Sequence, residues 1–245
     1  MFFFFTASES QPKYRATFVM YKEGRDDAQL CFSVKAKPSQ IYTLLSDKNG
    51  EIEVNGRMAS SVVASTELSE SETVPLILDR LLVKVREGNL EVSPDSLLLG
   101  STLTMPWGQN WKARVQGMRV AVRSGSHLSI RLSSRLTLVI HRHTGDPSAH
   151  KNDFLGLEIR NADGFSQEVD GIIGQFERRE IHLDAGSITG EGASMRGQLI
   201  VGSQRLEVRQ SERMDIREER ARQCWWYAGG DEVLEKSLRQ YRARQ

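Results

Sequence analysis

Among 245 residues there are only six prolines and two cysteines, and no apolar run approaches the length of a membrane helix. A bilayer-spanning helix takes about 20 apolar residues, so no membrane partner is expected. Phe2 to Phe5 is an apolar leader, shorter than the stretch of about 7–15 residues that an export signal uses. Residues 1–10 are read as a disordered leader and 11–245 as one domain. Also missing are a Gly-x-Ser-x-Gly elbow, a phosphate-binding Gly-rich loop, a His-Glu-x-x-His helix, a Cys-x-x-Cys pair and an Asn-x-Ser/Thr acceptor. These absences remove the common nucleophile, nucleotide, zinc-protease and redox chemistries. No enzyme activity and no cofactor are therefore expected. The formal net charge is only +1, which gives no global pull toward nucleic acid.

What is present is strand signal. Short runs of Val, Ile, Leu and Phe, many alternating with polar residues, are cut by Gly, Asn, Asp and Ser. They predict strands through most of the sequence, among them 14–21, 29–35, 79–86, 118–123, 127–132, 135–142, 154–160, 172–176 and 222–227. Asp47-Lys48-Asn49-Gly50 reads as a hairpin turn because Asn-Gly tolerates positive φ, and Gly202-Ser203-Gln204 reads as another. Residues 59–75, rich in Ser, Thr and Glu, read as a mobile loop, and 231–242 is the one helical pattern. The fold class that follows is all-β, an antiparallel sandwich-like single domain with few or no helices.

Charge is distributed unevenly. From Ser96 to Gly145 there is no Asp or Glu, but there are seven cations: Lys112, Arg114, Arg119, Arg123, Arg131, Arg135 and Arg142. Removing these seven from the net +1 leaves −6 on the remaining residues. With turns at Gly117, Gly125 and Ser133-Ser134, apolar Val120, Val122, Leu128, Ile130, Leu132, Leu136, Leu138 and Ile140 alternate with Lys112, Arg114, Arg119, Arg123, Arg131 and Arg135. A meander with one apolar and one basic face results. Two readings stand: a solvated face whose charges pair with acids elsewhere in the protein, or a surface that contacts glycosaminoglycan or another polyanion.

Four segments taken in order carry a family resemblance. They are Leu30-Cys31-Phe32-Ser33-Val34, followed by Val54-Asn55-Gly56; His150-Lys151-Asn152-Asp153-Phe154-Leu155-Gly156; Gly171-Ile172-Ile173-Gly174-Gln175-Phe176; and Cys224-Trp225-Trp226. Together they resemble the C-terminal domain of inter-alpha-trypsin inhibitor heavy chains. The resemblance implies an extracellular domain of von Willebrand type D-like architecture, in proteins associated with hyaluronan and with a protease-inhibitor proteoglycan. It also implies a disulfide between Cys31 and Cys224, which in a cytosolic protein would be buried thiols. The resemblance fails at Gln11-Pro12, where the family carries Asp-Pro in the segment cleaved for ester attachment to glycosaminoglycan. With an amide at the position of the reacting carboxylate, this protein is not expected to form that ester.

Two groups remain. His141, His143, His150 and Asp153 have ligand chemistry, but their spacing matches no metal signature. Trp107, Trp111, Trp225 and Trp226 fit a core or, at an exposed position, a sugar-stacking surface. Of the adjacent pair Trp225 and Trp226, one is expected in the core and the other partly exposed.

Overall fold

Alternation of apolar and polar residues extends through most of the sequence, and turn residues divide it into strands. The computed structural model describes residues 13–22, 25–61, 73–100, 102–115, 117–123, 125–145, 152–191, 195–215 and 220–243. Within them lie β1 (Lys13–Lys22), β2 (Arg25–Val34), β3 (Ile41–Asp47), β4 (Ile52–Ser60), β5 (Thr73–Val85), β6 (Gly88–Val92), β7 (Ser96–Leu99), β8 (Leu103–Pro106) and β9 (Trp111–Val115). There follow β10 (Met118–Arg123), β11 (His127–Arg131), β12 (Thr137–His143), β13 (Phe154–Arg160), β14 (Ile181–Thr189), β15 (Arg196–Val201), β16 (Gln204–Asp215) and β17 (Arg220–Tyr227). The class is all-β, as the sequence predicts, and the helical elements among the described residues are short 3-10 turns.

Three antiparallel ladders make up the network. One runs from β3 to β8, another from β9 to β13, and a third from β14 to β17. β5 is the seam between them. Its N-terminal half pairs with β1, Leu78 pairs with Leu155 of β13, and its C-terminal half pairs with β6, while β4 follows the opposite edge. β1 then pairs with β2, and β2 with β17, which joins the third ladder. The β1–β5 and β2–β17 pairings are parallel, a correction to the antiparallel expectation. Parallel neighbours need a long crossover, and β2 and β17 come from opposite ends of the sequence. The inward faces share one core, which includes Leu30, Phe32, Leu81, Val83, Leu90, Val120, Ile130, Ile140, Leu199 and Trp225.

Local readings fare unevenly. The Asp47–Gly50 turn forms, but the left-handed residue is Glu51 at φ 52°. Gly50 instead lies close to Asp47, and a Cβ there would stand 2.9 Å from Asp47 Oδ2 and displace that carboxylate. Gly202, at φ 59°, closes the β15–β16 hairpin as predicted. The predicted strand 172–176 is a turn ending in the 3-10 segment Gly174–Phe176. The predicted helix 231–242 is two 3-10 turns, Gly230–Val233 and Leu238–Tyr241, although Val233, Leu234, Leu238 and Tyr241 are buried as its pattern requires. It breaks where the Glu235 backbone N–H donates to Gln175 Oε1, at 2.8 Å. Strands β6, β8 and β14 go beyond the expected set: β6 alternates only over Leu90 and Val92 and β14 only over Ile181, Leu183 and Ala185, while β8 is too short to sustain an apolar alternation. Of the predicted loop, Ala59 and Ser60 end β4 and Thr73 to Pro75 begin β5. Residues 62–72 and the leader 1–10 lie outside the described residues.

Cys31 on β2 and Cys224 on β17 are buried and joined by a disulfide, with Cα atoms 6.0 Å apart. The bond clamps the parallel β2–β17 pairing that carries the third ladder. Replacing both cysteines by alanine should lower unfolding free energy by up to about 5 kcal/mol, the chain-entropy value for a loop of this size. Alkylation of denatured, unreduced protein should label neither cysteine, and free labelling of both would contradict the bond.

Candidate functional site

The meander β9–β10–β11–β12 forms as the sequence requires. Met118, Val120, Val122, Leu128, Ile130, Leu136, Leu138 and Ile140 are buried and Leu132 is half-buried. Lys112, Arg114, Arg119, Arg123, Arg131 and Arg135 are all exposed. Register brings three of them into line: Arg119 stands opposite Arg114 on one side and Arg131 on the other. Lys112 faces Ala121, and Arg123 faces His127. Like charges directly opposite one another destabilise a sheet, so neutralisation by acids would be expected. It does not occur: among the described residues none of the six forms an ion pair. Arg131 Nε donates to the Ser133 carbonyl at 3.1 Å, and Arg142, the seventh cation, pairs with Asp153 at 3.5 Å. Among the described residues, then, this face is not paired with the protein's own acids.

The tryptophans contribute nothing to this face. Trp107 is buried and its indole donates to the Ser93 carbonyl at 2.8 Å. Trp111 alternates inward from Lys112 and Arg114. Trp225 is core and Trp226 partly exposed, as expected of adjacent strand positions, but Trp226 pairs with Arg209 in the third ladder.

A second constellation surrounds the Gly171–Phe176 segment. Gly171 has φ 108°, and a Cβ there would meet the Leu44 carbonyl oxygen at 2.5 Å. This close approach lets Ile172 and Ile173 donate backbone hydrogen bonds to the carbonyls of Thr43 and Leu44 on the bulged edge of β3. Gln175 is fully buried. Its Nε2 donates to the carbonyls of Gly171 and Ile172 at 3.1 and 3.2 Å, and its Oε1 accepts from Glu235. Arg179, 8% exposed, donates to the carbonyls of Val233 and Val201 and to Gln204 Oε1, and its guanidinium lies 5.4 Å from the Phe176 ring centroid. Residues on four separate elements are tied together here. The site is structural, and it explains why this glycine-bounded motif has its composition.

Among protein families, the one described as the C-terminus of the inter-alpha-trypsin inhibitor heavy chain matches residues 49–228, most of this sequence. The protein belongs to that heavy-chain family. It is similar to human inter-alpha-trypsin inhibitor heavy chain H6, 24% identical over 163 residues, which are 65% of this chain and 12% of that protein. Human heavy chain H2 is 23% identical over 171 residues, 68% of this chain and 18% of the relative. Bovine (Bos taurus) heavy chain H3 is 25% identical over 167 residues, 65% of this chain and 18% of the relative. The matched region thus spans less than a fifth of the length of these heavy chains.

Two histidines of this heavy-chain domain, His141 and His143, are packed inside, whereas His127 is exposed. His141 and His143 share the face of β12 opposite Leu138 and Ile140, yet both are buried. His127 meets His141 edge-on at 4.8 Å, and His143 stacks on Phe154 at 4.6 Å. His141 Nε2 lies 2.9 Å from Glu158 Oε2, and Asp153 accepts from the Gly145 N–H at 2.8 Å. His150 lies outside the described residues. Among the described residues no three His, Cys, Asp or Glu side chains are placed to hold a metal. Burial pushes the Glu158 carboxyl up, but hydrogen bonds from His141 and Arg160 outweigh it and hold the group at about 2.

Two measurements test these networks. Gln175→Leu keeps the volume but leaves the Ile172 carbonyl and the Glu235 N–H unpaired, the Gly171 carbonyl still accepting from the residue 175 backbone N–H, so it should lower stability by about 3 kcal/mol in denaturant unfolding. A loss under about 1 kcal/mol would contradict the role given to this side chain. Because Glu158 titrates lower in the folded protein than its ordinary 4.5, its stabilisation is complete above that value and is lost as pH falls toward 2. Glu158→Gln should flatten the stability profile between about pH 4.5 and pH 2. An unchanged slope in that window would show that the ion pair does not govern acid stability.

Proposed function

We propose that this heavy-chain-type domain is a noncatalytic extracellular module that takes part in hyaluronan-matrix assembly and in complexes with a protease-inhibitor proteoglycan. Its means of engagement is polyanion contact through the basic face of the meander. The observation that carries this reading is six exposed cations on one face with no acidic partner among the described residues. Membership of the heavy-chain family supports the extracellular, matrix-associated setting. A hydrolase acting through the histidine cluster is the alternative reading, and it would have to use Ser126, whose Oγ lies 2.7 Å from His127 Nδ1.

A polyanion seated on this face makes several ion pairs at once, and exposed charges are screened over roughly 8–10 Å at physiological ionic strength. The protein should be retained on immobilised heparin and released as salt rises. Replacing Arg119, Arg123 and Arg131 together by serine should lower the salt needed for elution. Equal elution of variant and wild type would refute the assignment of the face.

A further inference from the structure

Resting on that reading, we infer that Arg114, Arg119 and Arg131, in register across three strands, form a track that takes one linear, densely sulfated polysaccharide running across the strands. The three residues are exposed and occupy consecutive positions on β9, β10 and β11 in direct cross-strand register. Adjacent strands are about 4.8 Å apart, so the row presents a positive charge about every 5 Å over about 10 Å. Beside the row lie Ala121 and Ser129, small side chains directly opposite each other. Neither is bulky or charged, and Arg131 Nε is held by the Ser133 carbonyl at 3.1 Å. Past Arg131 the same row continues to Thr137 on β12 and then to Arg160 on β13. Arg160 is already engaged by Glu158, with Nε and Nη2 each 2.9 Å from a carboxylate oxygen. The uncompensated stretch therefore ends after three strands.

Two features select the ligand class. A guanidinium fork matches the paired oxygens of a sulfate group better than the compact ammonium of lysine does. In addition, charges spaced at the strand interval suit a polymer with several sulfates per disaccharide, and not hyaluronan, which carries one carboxylate per disaccharide. The row is one residue wide. Lys112 lies beside it on β9 and Arg123 farther along β10, so both add to the field without extending the line.

Two charge-matched variants separate a track from a diffuse field. Arg114→Ser with Arg131→Ser removes the ends of the row, whereas Lys112→Ser with Arg123→Ser removes two cations outside it. Binding of a heparin fragment of defined length, measured by calorimetry at fixed salt, should weaken about tenfold in the first variant and less than about threefold in the second. Equal losses would overturn the track and leave the broader polyanion reading standing. A third variant, Arg114→Lys, Arg119→Lys and Arg131→Lys, keeps every charge and should still bind several-fold more weakly. Full retention of affinity would overturn guanidinium recognition. Hyaluronan of equal length binding as tightly as heparin would overturn the spacing argument, and wild-type protein that binds neither polymer would sink the proposed function along with the track.

Discussion

The buried pair Gln175 and Arg179 is the constraint on which the rest of the architecture depends. A guanidinium taken out of water must have its donors satisfied, or the burial is strongly unfavourable. Arg179 meets that demand with partners on β15, on β16 and in the Gly230–Val233 turn, while its neighbour Gln175 holds the Gly171 turn and the backbone of Glu235. The ends of the third ladder, the C-terminal segment and the edge of β3 are thus fixed to one point. Phe176, under the Arg179 guanidinium, also packs on Phe32 at 5.5 Å, next in sequence to the disulfide cysteine of β2. Polar network, aromatic contact and disulfide close the same region of the domain.

Such a closure bears on the basic face at a distance. The meander's inner side chains belong to the same core that the Gln175 network encloses, and their burial holds β9, β10 and β11 in register against repulsion among the arginines. Roughly 25 cal/mol is gained per Å² of apolar surface removed from water, whereas opposed exposed charges lose only a few tenths of a kcal/mol per pair. Packing therefore wins, and the arginines keep an alignment that electrostatics alone would disfavour.

Much of this was legible in the sequence. The acid-free segment and its alternation located the meander, its two faces and the exposed cations, because period-two patterning translates directly into sheet faces. The two cysteines and the Gly171–Phe176 motif pointed to the family and the bridge. The 172–176 segment misled because a buried apolar run looks the same in a strand and in a turn pressed against a strand edge. The 231–242 pattern had helical spacing, but a tertiary hydrogen bond from Glu235 to Gln175 interrupted it.

By itself, then, the sequence determined the class of fold, the composition of each sheet face and the sign of the charge on the outer one, all of which follow from local periodicity and residue type. Tertiary structure alone decided which cations stand in line, that His141 and His143 are packed inside, and that β2 and β17 run parallel. Those outcomes depend on register and on contacts between residues far apart in the sequence. Strand pairing sets them, and strand pairing is stabilised by a core that no local segment encodes.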